Sequence, residues 1–207
     1  MSASLLVELF TEELPPKALK RLGESFCSAI VEGLRARGLA ASDARIDGFA
    51  SPRRLAVRVA GVPVRAADRQ VELKGPSLKV GLDAAGQPTQ ALIKWAEKQG
   101  ARIDQLTRAN DGKQECFYFQ STVTGESLDE AISPVITQAL AKLPIPKLMQ
   151  YQLADGHTTV SFVRPAHGLI VLHGERVVPA SVLGLQSGRS THGHRFQSEG
   201  SIAIADA

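Results

Sequence analysis

With 207 residues, 43% of them hydrophobic and 22% charged, the chain has enough apolar material for a core and the charge content of an ordinary soluble globule. A formal charge of +3 permits a polyanionic partner without requiring one, because only clustering would make a basic patch. No apolar run approaches a membrane span, and the start lacks a basic-then-apolar signal layout. The expectation is a soluble, cytoplasmic protein with no membrane partner. Cys27 and Cys116 stand far apart without Cys-x-x-Cys spacing, one in a helical and one in a strand pattern. They read as buried free thiols in a reducing compartment.

Leu5–Phe10 is an apolar run interrupted only by Glu8 and reads as a strand. Pro15 and Pro16 suit the first turn of the helix that follows, whose stripe is Leu19, Leu22, Phe26, Ile30 and Leu34, with Gly38 as its stop. Glu12 and Glu13, between the two, either stabilise that helix through its dipole or hold an amine or an arginine. Asp47–Ala50 and Leu55–Val59 form two strands joined by Ser51-Pro-Arg-Arg54, which places Arg53 and Arg54 at a turn. There they either touch phosphates or are ordinary solvated residues. Val71–Leu73 runs into Lys74-Gly-Pro76, a short helix near Leu78–Leu82, and a loop at Asp83–Pro88. Thr89 caps a helix through Gln99 that turns Leu92, Trp95 and Ala96 inward, which makes Trp95 a core residue rather than a base-stacking platform.

A turn at Asn110-Asp-Gly112 leads into the strand Glu115–Val123, with Phe117 and Phe119 on one face and Tyr118 on the other. Ser127 and Glu130 have capping-box spacing ahead of a helical stripe ending at Leu143, which Pro134 kinks or divides and Pro144-Ile-Pro146 ends. Strands are predicted at Met149–Leu153, Thr158–Val163, Leu169–His173, Val177–Leu183 and Ser201–Ala205, with a basic tip at Arg164-Pro-Ala-His167. The order of elements gives an α+β fold, helices packed on mainly antiparallel β-sheets. It reads as one compact unit over residues 1–207, with a possible minor subdivision near 144–147 where helix gives way to strands.

The chemistry concentrates in Leu185–Phe196, which holds Arg189, Arg195, His192 and His194 among glycines and hydroxyls, without a carboxylate. Guanidinium groups and glycines that admit close approach make this a candidate anion-binding loop, or else a solvated basic loop. His192 and His194 have no nearby Cys or suitably spaced carboxylate to complete a zinc site. Gly-x-Ser-x-Gly, a dinucleotide fingerprint and a P-loop are all missing, so no catalytic residue is assigned.

Leu183-Gly-Leu-Gln-Ser-Gly-Arg-Ser-Thr-His-Gly-His-Arg-Phe196 resembles a motif of the β subunit of bacterial two-subunit glycyl-tRNA synthetase. So do Leu5-Leu-Val-Glu-Leu-Phe-Thr-Glu-Glu-Leu-Pro-Pro-Lys17, Ser51-Pro-Arg-Arg-Leu-Ala-Val57, Lys74-Gly-Pro76, Leu143-Pro-Ile-Pro-Lys147 and Phe162-Val-Arg-Pro-Ala-His167. Six motifs in order span nearly the whole chain, as the N-terminal portion of a longer subunit would. The resemblance implies a share in joining glycine to tRNA(Gly) at the expense of ATP, with release of AMP and diphosphate. It implies that ATP and Mg are used by the α subunit and that this chain holds no cofactor or metal. Its partners would be the α subunit and tRNA(Gly). By the same motifs the candidate RNA-binding or partner-contact residues are Arg53, Arg54, Lys74, Lys147, Arg164, Arg189, His192, His194 and Arg195. The chain departs from the family at Leu148–Tyr151 and at Ala166–Gly168, where a tryptophan is common and would supply a stacking surface. Alternatives are a purely structural module that docks α and a remnant of an editing-like hydrolytic domain.

Overall fold

The computed structural model describes residues 2–153, 155–194, 196–198 and 200–207. Arg195 lies outside the described residues. The class is the expected one, helices on mainly antiparallel sheets, but contacts divide the chain into two units: Met1–Ala66 with Glu126–Ala207, and Ala67–Gly125. The 144–147 stretch falls inside the first. The second is an insertion whose ends lie close together, because Ala66 N–H donates to Glu126 O and Leu128 N–H to Val64 O.

In the first unit the strands are β1 (Ser2–Thr11), β2 (Ile46–Ser51) and β3 (Arg54–Pro63), and the helix α1 (Leu19–Ala36) lies between β1 and β2. In the second unit follow β4 (Arg69–Ser77), α2 (Leu78–Gly81), α3 (Gln90–Lys98), β5 (Thr107–Asn110) and β6 (Glu115–Val123). The chain then returns to the first unit with α4 (Leu128–Ala141), β7 (Met149–Gln152), β8 (Thr159–Phe162) and β9 (Ala166–His173). It ends with β10 (Arg176–Val177), β11 (Ser181–Val182), β12 (Leu185–Gly188), β13 (Ser190–His192) and β14 (Ser201–Ala203).

The main sheet has the order β11-β12-β9-β1-β3-β2, with β10 also on β9. Period-two alternation builds it. Leu5, Val7 and Leu9 pair across to Val59, Val57 and Leu55, and all six side chains are fully buried. The stripes of α1 (Leu22, Phe26, Ile30, Leu34) and α4 (Leu128, Ile132, Val135, Ile136) complete that core. β1's other face carries Leu6, Glu8 and Phe10, which sit opposite Arg58, Ala56 and Arg54 of β3. α4 begins in the predicted capping box, with Ser127 Oγ accepting from Glu130 N–H, and runs unbroken through Pro134. The capping and the buried stripe on both sides offset the one N–H that proline lacks.

Three local expectations fail for identifiable reasons. The predicted strand Val177–Leu183 is two short strands, β10 and β11, separated at residues 178–180 around Pro179, and it ends at Val182 because Leu183 and Gly184 both have positive φ, the two-residue connection that β11 and β12 require. The Arg/His stretch is a loop only in part: Leu185–Gly188 form β12, which runs parallel to β9, and Ser190–His192 form β13, paired with β14, while Arg189 lies between the two strands and His194 beyond them. Its alternation was invisible because backbone pairing, not side-chain burial, orders it. β5 (Thr-Arg-Ala-Asn) went unpredicted, since all four residues are exposed and only pairing with β6 makes them a strand.

The second unit is the sheet β4-β6-β5 with α3 packed on it. Thr89 Oγ1 accepts from Leu92 N–H and caps α3 as predicted. Trp95 lies half-buried against Gly75, where a Cβ would stand 3.0 Å from the indole ring. That close approach explains the glycine of Lys74-Gly-Pro76 as packing. Phe117 is buried, with the Arg108 guanidinium 5.5 Å from its ring centroid.

Candidate functional site

Four of the six motifs converge at one end of the main sheet, around Phe10 of β1. Backbone hydrogen bonds fix the convergence: Thr11 N–H donates to Arg53 O (2.9 Å), Glu12 N–H to Pro165 O (2.8 Å) and Leu14 N–H to Pro52 O (2.6 Å). Segment 11–14 is thereby held to both the 51–54 turn and the 163–167 strap. The register of β1 against β3 sets Phe10 opposite Arg54, and its register against β9 sets Phe10 opposite Gly168.

Glu8 is the buried anchor. Its carboxylate accepts from Thr191 Oγ1 of β13 and lies 3.0 Å from Arg54 Nε. The Arg54 contact is an ion pair without hydrogen-bond alignment, since that Nε makes no hydrogen bond. Arg54 Nη2 donates to Thr191 Oγ1 (3.0 Å) and to His192 O (2.5 Å). The triad Glu8–Arg54–Thr191 therefore ties β1, β3 and β13 together. A carboxylate shielded from water is tolerable only with such partners. A lone Glu in an otherwise apolar strand was the sequence signal for it.

Glu12 performs the same service one turn out. Arg53 Nη2 donates to its Oε1 (3.3 Å), His167 Nε2 stands 3.0 Å from the same oxygen, and Arg53 Nε donates to Thr11 O (3.1 Å). Of the two predicted roles of the glutamates, holding an arginine is the one realised by Glu12. The dipole reading fails for both, because α1 starts only at Leu19 and its first turn holds no acidic residue. Both guanidiniums lie over the Phe10 ring, at 4.9 Å for Arg53 and 5.6 Å for Arg54, within cation–π range. The His192 ring adds a tilted contact at 5.7 Å.

The remaining candidates separate. Arg164 folds back on its own neighbourhood, donating to Glu13 O (3.0 Å) and Val163 O (2.9 Å). Arg189 donates to Glu175 O (2.6 Å). Lys147 is exposed and makes no hydrogen bond or ion pair among the described residues. Lys74 belongs to the second unit, where it pairs with Asp111 at 2.5 Å. Tyr151, read in the sequence only as part of a departure from the family, accepts a hydrogen bond from Ala166 N–H at its hydroxyl and helps set the strap. No group of three or more His, Cys, Asp or Glu is placed to hold a metal among the described residues, and no described helix is long and apolar enough to cross a membrane.

Beside Phe10 opens a cleft of about 530 Å³, lined by Glu13, Pro16, Ser51, Pro52, Arg53 and Arg54 and by Gly193, His194 and Phe196. Phe196 is 85% exposed. Its ring stands 6.0 Å from that of His194 at an interplanar angle of 58°. Phe196 N–H donates to His194 Nδ1 (3.3 Å), while the N–H groups of Gln197 and Ser198 both reach His194 O.

Fold and site together define an α+β module in which dispersed motifs close one sheet end through buried and half-buried ion pairs. The chain belongs to the glycyl-tRNA synthetase beta subunit family, whose model matches residues 5–207. It is 56% identical over 197 residues to the glycine–tRNA ligase beta subunit of Leptothrix cholodnii, covering 94% of this chain and 28% of that protein. The corresponding protein of Dechloromonas aromatica is 52% identical over 203 residues, covering 95% of this chain and 28% of its own length. That of Polaromonas naphthalenivorans is 48% identical over 217 residues, covering 99% and 30%. The chain thus spans less than a third of the length of these relatives.

Proposed function

We propose that this chain acts within glycine–tRNA ligase, supporting tRNA(Gly) binding and assembly of the β subunit with a catalytic α subunit that uses ATP and Mg to form glycyl-tRNA. The family match over residues 5–207 carries the reading. The geometry refines the division of labour. Arg53, Arg54 and Arg164 fold the sheet end, since each is tied to carboxylates or carbonyls of its own chain. RNA contact falls to the exposed rim, of which His192, His194 and the outer edges of the two guanidiniums are part.

Binding of this chain to tRNA(Gly) and to an unrelated tRNA, each over a salt series, tests it. The expected result is a preference for tRNA(Gly) with affinity falling as salt rises, because phosphate contacts release counterions. A second reading, a structural module that docks α and touches no RNA, draws support from the same internal pairing of the motif arginines. It predicts weak binding without preference, together with α-subunit assembly that fails in Arg54 variants.

A further inference from the structure

We propose that the cleft between the 51–54 turn and the segment after β13 receives one unpaired nucleotide of an RNA chain, its base stacked on Phe196. The inference rests on the RNA-binding reading above and names the part of the RNA that this site takes. Three observations carry it.

The first is the rim. A phenylalanine that is 85% exposed, and whose one ring contact among the described residues is the histidine that its backbone N–H bonds, is an aromatic platform with a face open to solvent. Such rings are what splayed-out RNA bases stack upon. Because His194 Nδ1 accepts from Phe196 N–H, the assigned tautomer carries its proton on Nε2, which leaves that nitrogen a donor.

The second is the charge state of the cleft's arginines. Arg53 and Arg54 reach the cleft already paired with Glu12 and Glu8, and the exposed Glu13 adds a further carboxylate to its lining. Among the described residues the Nη1 group of each has no partner. A compensated guanidinium is a poor trap for a free phosphate but keeps its planar donors, and these suit the acceptor edge of a base or a ribose hydroxyl.

The third is size. About 530 Å³ lies in the range of small-ligand clefts and admits a nucleoside, whereas a duplex could not enter. Stacking with neutralised donors further implies that this contact contributes little to the salt dependence of binding, unlike contacts to phosphates.

The test titrates this chain with a single-stranded oligoribonucleotide carrying 2-aminopurine, with a blunt RNA duplex and with free AMP, comparing the native sequence, Phe196→Ala and His194→Ala. Stacking should quench the 2-aminopurine, and Phe196→Ala should weaken single-strand binding about tenfold while the salt slope and duplex affinity stay the same. Its melting temperature should not move, as the ring is solvent-exposed. The proposal is overturned if Phe196→Ala weakens duplex and single strand equally or neither. It is likewise overturned if free AMP binds as tightly as the strand with the same sensitivity, which would make the cleft a mononucleotide site, or if the variant loses only assembly with α, which would make it a protein-docking site. Native chain that binds neither RNA at all would overturn the RNA-binding reading itself, an outcome distinct from every failure of the variant.

Discussion

Each unit of the chain pairs a cation from a sequence motif with a carboxylate, and the two pairs are built differently. In the first unit Glu8 and Arg54 meet beneath β13, with side chains 8% and 26% exposed, and their partner Thr191 comes from 183 residues beyond Glu8. In the second, Lys74 and Asp111 meet beside a hairpin, with half of the lysine side chain open to water. Asp111 is held at the same time by the N–H groups of Lys113 and Gln114 within its own turn. A pair that joins three strands in low dielectric is strongly interdependent, while a pair between an exposed lysine and an already satisfied turn carboxylate is not. The residue types look alike in sequence; burial and the number of elements joined set their weight.

The largest effect should follow from breaking the first pair. Arg54→Ala leaves the Glu8 carboxylate buried without its countercharge and removes a donor to Thr191 and to His192 O, so unfolding stability should fall by about 3 kcal/mol. Thermal or urea unfolding measures it. If the effect is the stranded charge rather than lost packing, Glu8→Gln in the Arg54→Ala background should restore part of the loss. A double-mutant cycle that is strictly additive would sink the coupling argued here.

Next in size is Gly184→Ala. The residue takes φ of 76° in the β11–β12 turn, and a Cβ there would stand 2.1 Å from Leu153 Cδ1. Backbone strain and overpacking act together, for a loss of about 2 kcal/mol in the same unfolding assay. This glycine belongs to the motif from Leu183 to Phe196, so the experiment also asks how much of that motif is fold rather than contact. A stability unchanged within error would reverse the answer.

How much of this was legible follows from the range of the forces involved. Elements defined by their own local pattern were readable: the stripe of α1, the capping box of α4, the apolar run of β1, the strands on either side of the 51–54 turn and the alternation of β6. The six motifs were readable as a resemblance, and the candidate residues among them could be named. What the sequence withheld was pairing over distance. Nothing near Arg54 announces Glu8 and Thr191, and nothing near Arg53 announces Glu12 and His167, so a turn with two arginines read equally well as a phosphate contact. The insertion of the second unit escaped for the same reason: its borders at Ala66 and Gly125 have no distinctive composition, and only the hydrogen bonds that bring Val64 to Leu128 and Ala66 to Glu126 reveal them. The exposed platform at Phe196 was likewise hidden, since an isolated phenylalanine in sequence suggests burial.

The smallest effect should come from the second pair, and pH separates its parts. Hydrogen bonding from Lys74, then from the backbone of Gln114 and Lys113, holds the Asp111 carboxyl well below the usual range, and the same bond raises Lys74. A depressed carboxylate contributes stability that is present above its unfolded pKa of about 3.9 and lost as pH falls toward the folded value. A raised lysine contributes stability that is present below its unfolded pKa of about 10.4 and lost as pH climbs through the folded value. Between those limits Lys74→Met should barely shift the melting temperature, the exposed lysine being screened by water. Below pH 4 the same variant should show a shallower acid loss, though not a flat one, because the two backbone donors still favour the ionised carboxylate. Asp111→Asn should flatten the contribution at both ends and cost more at neutral pH, since an amide accepts the turn hydrogen bonds less strongly. If Lys74→Met instead destabilised at pH 7 as much as Arg54→Ala does, burial would not be what distinguishes the two pairs.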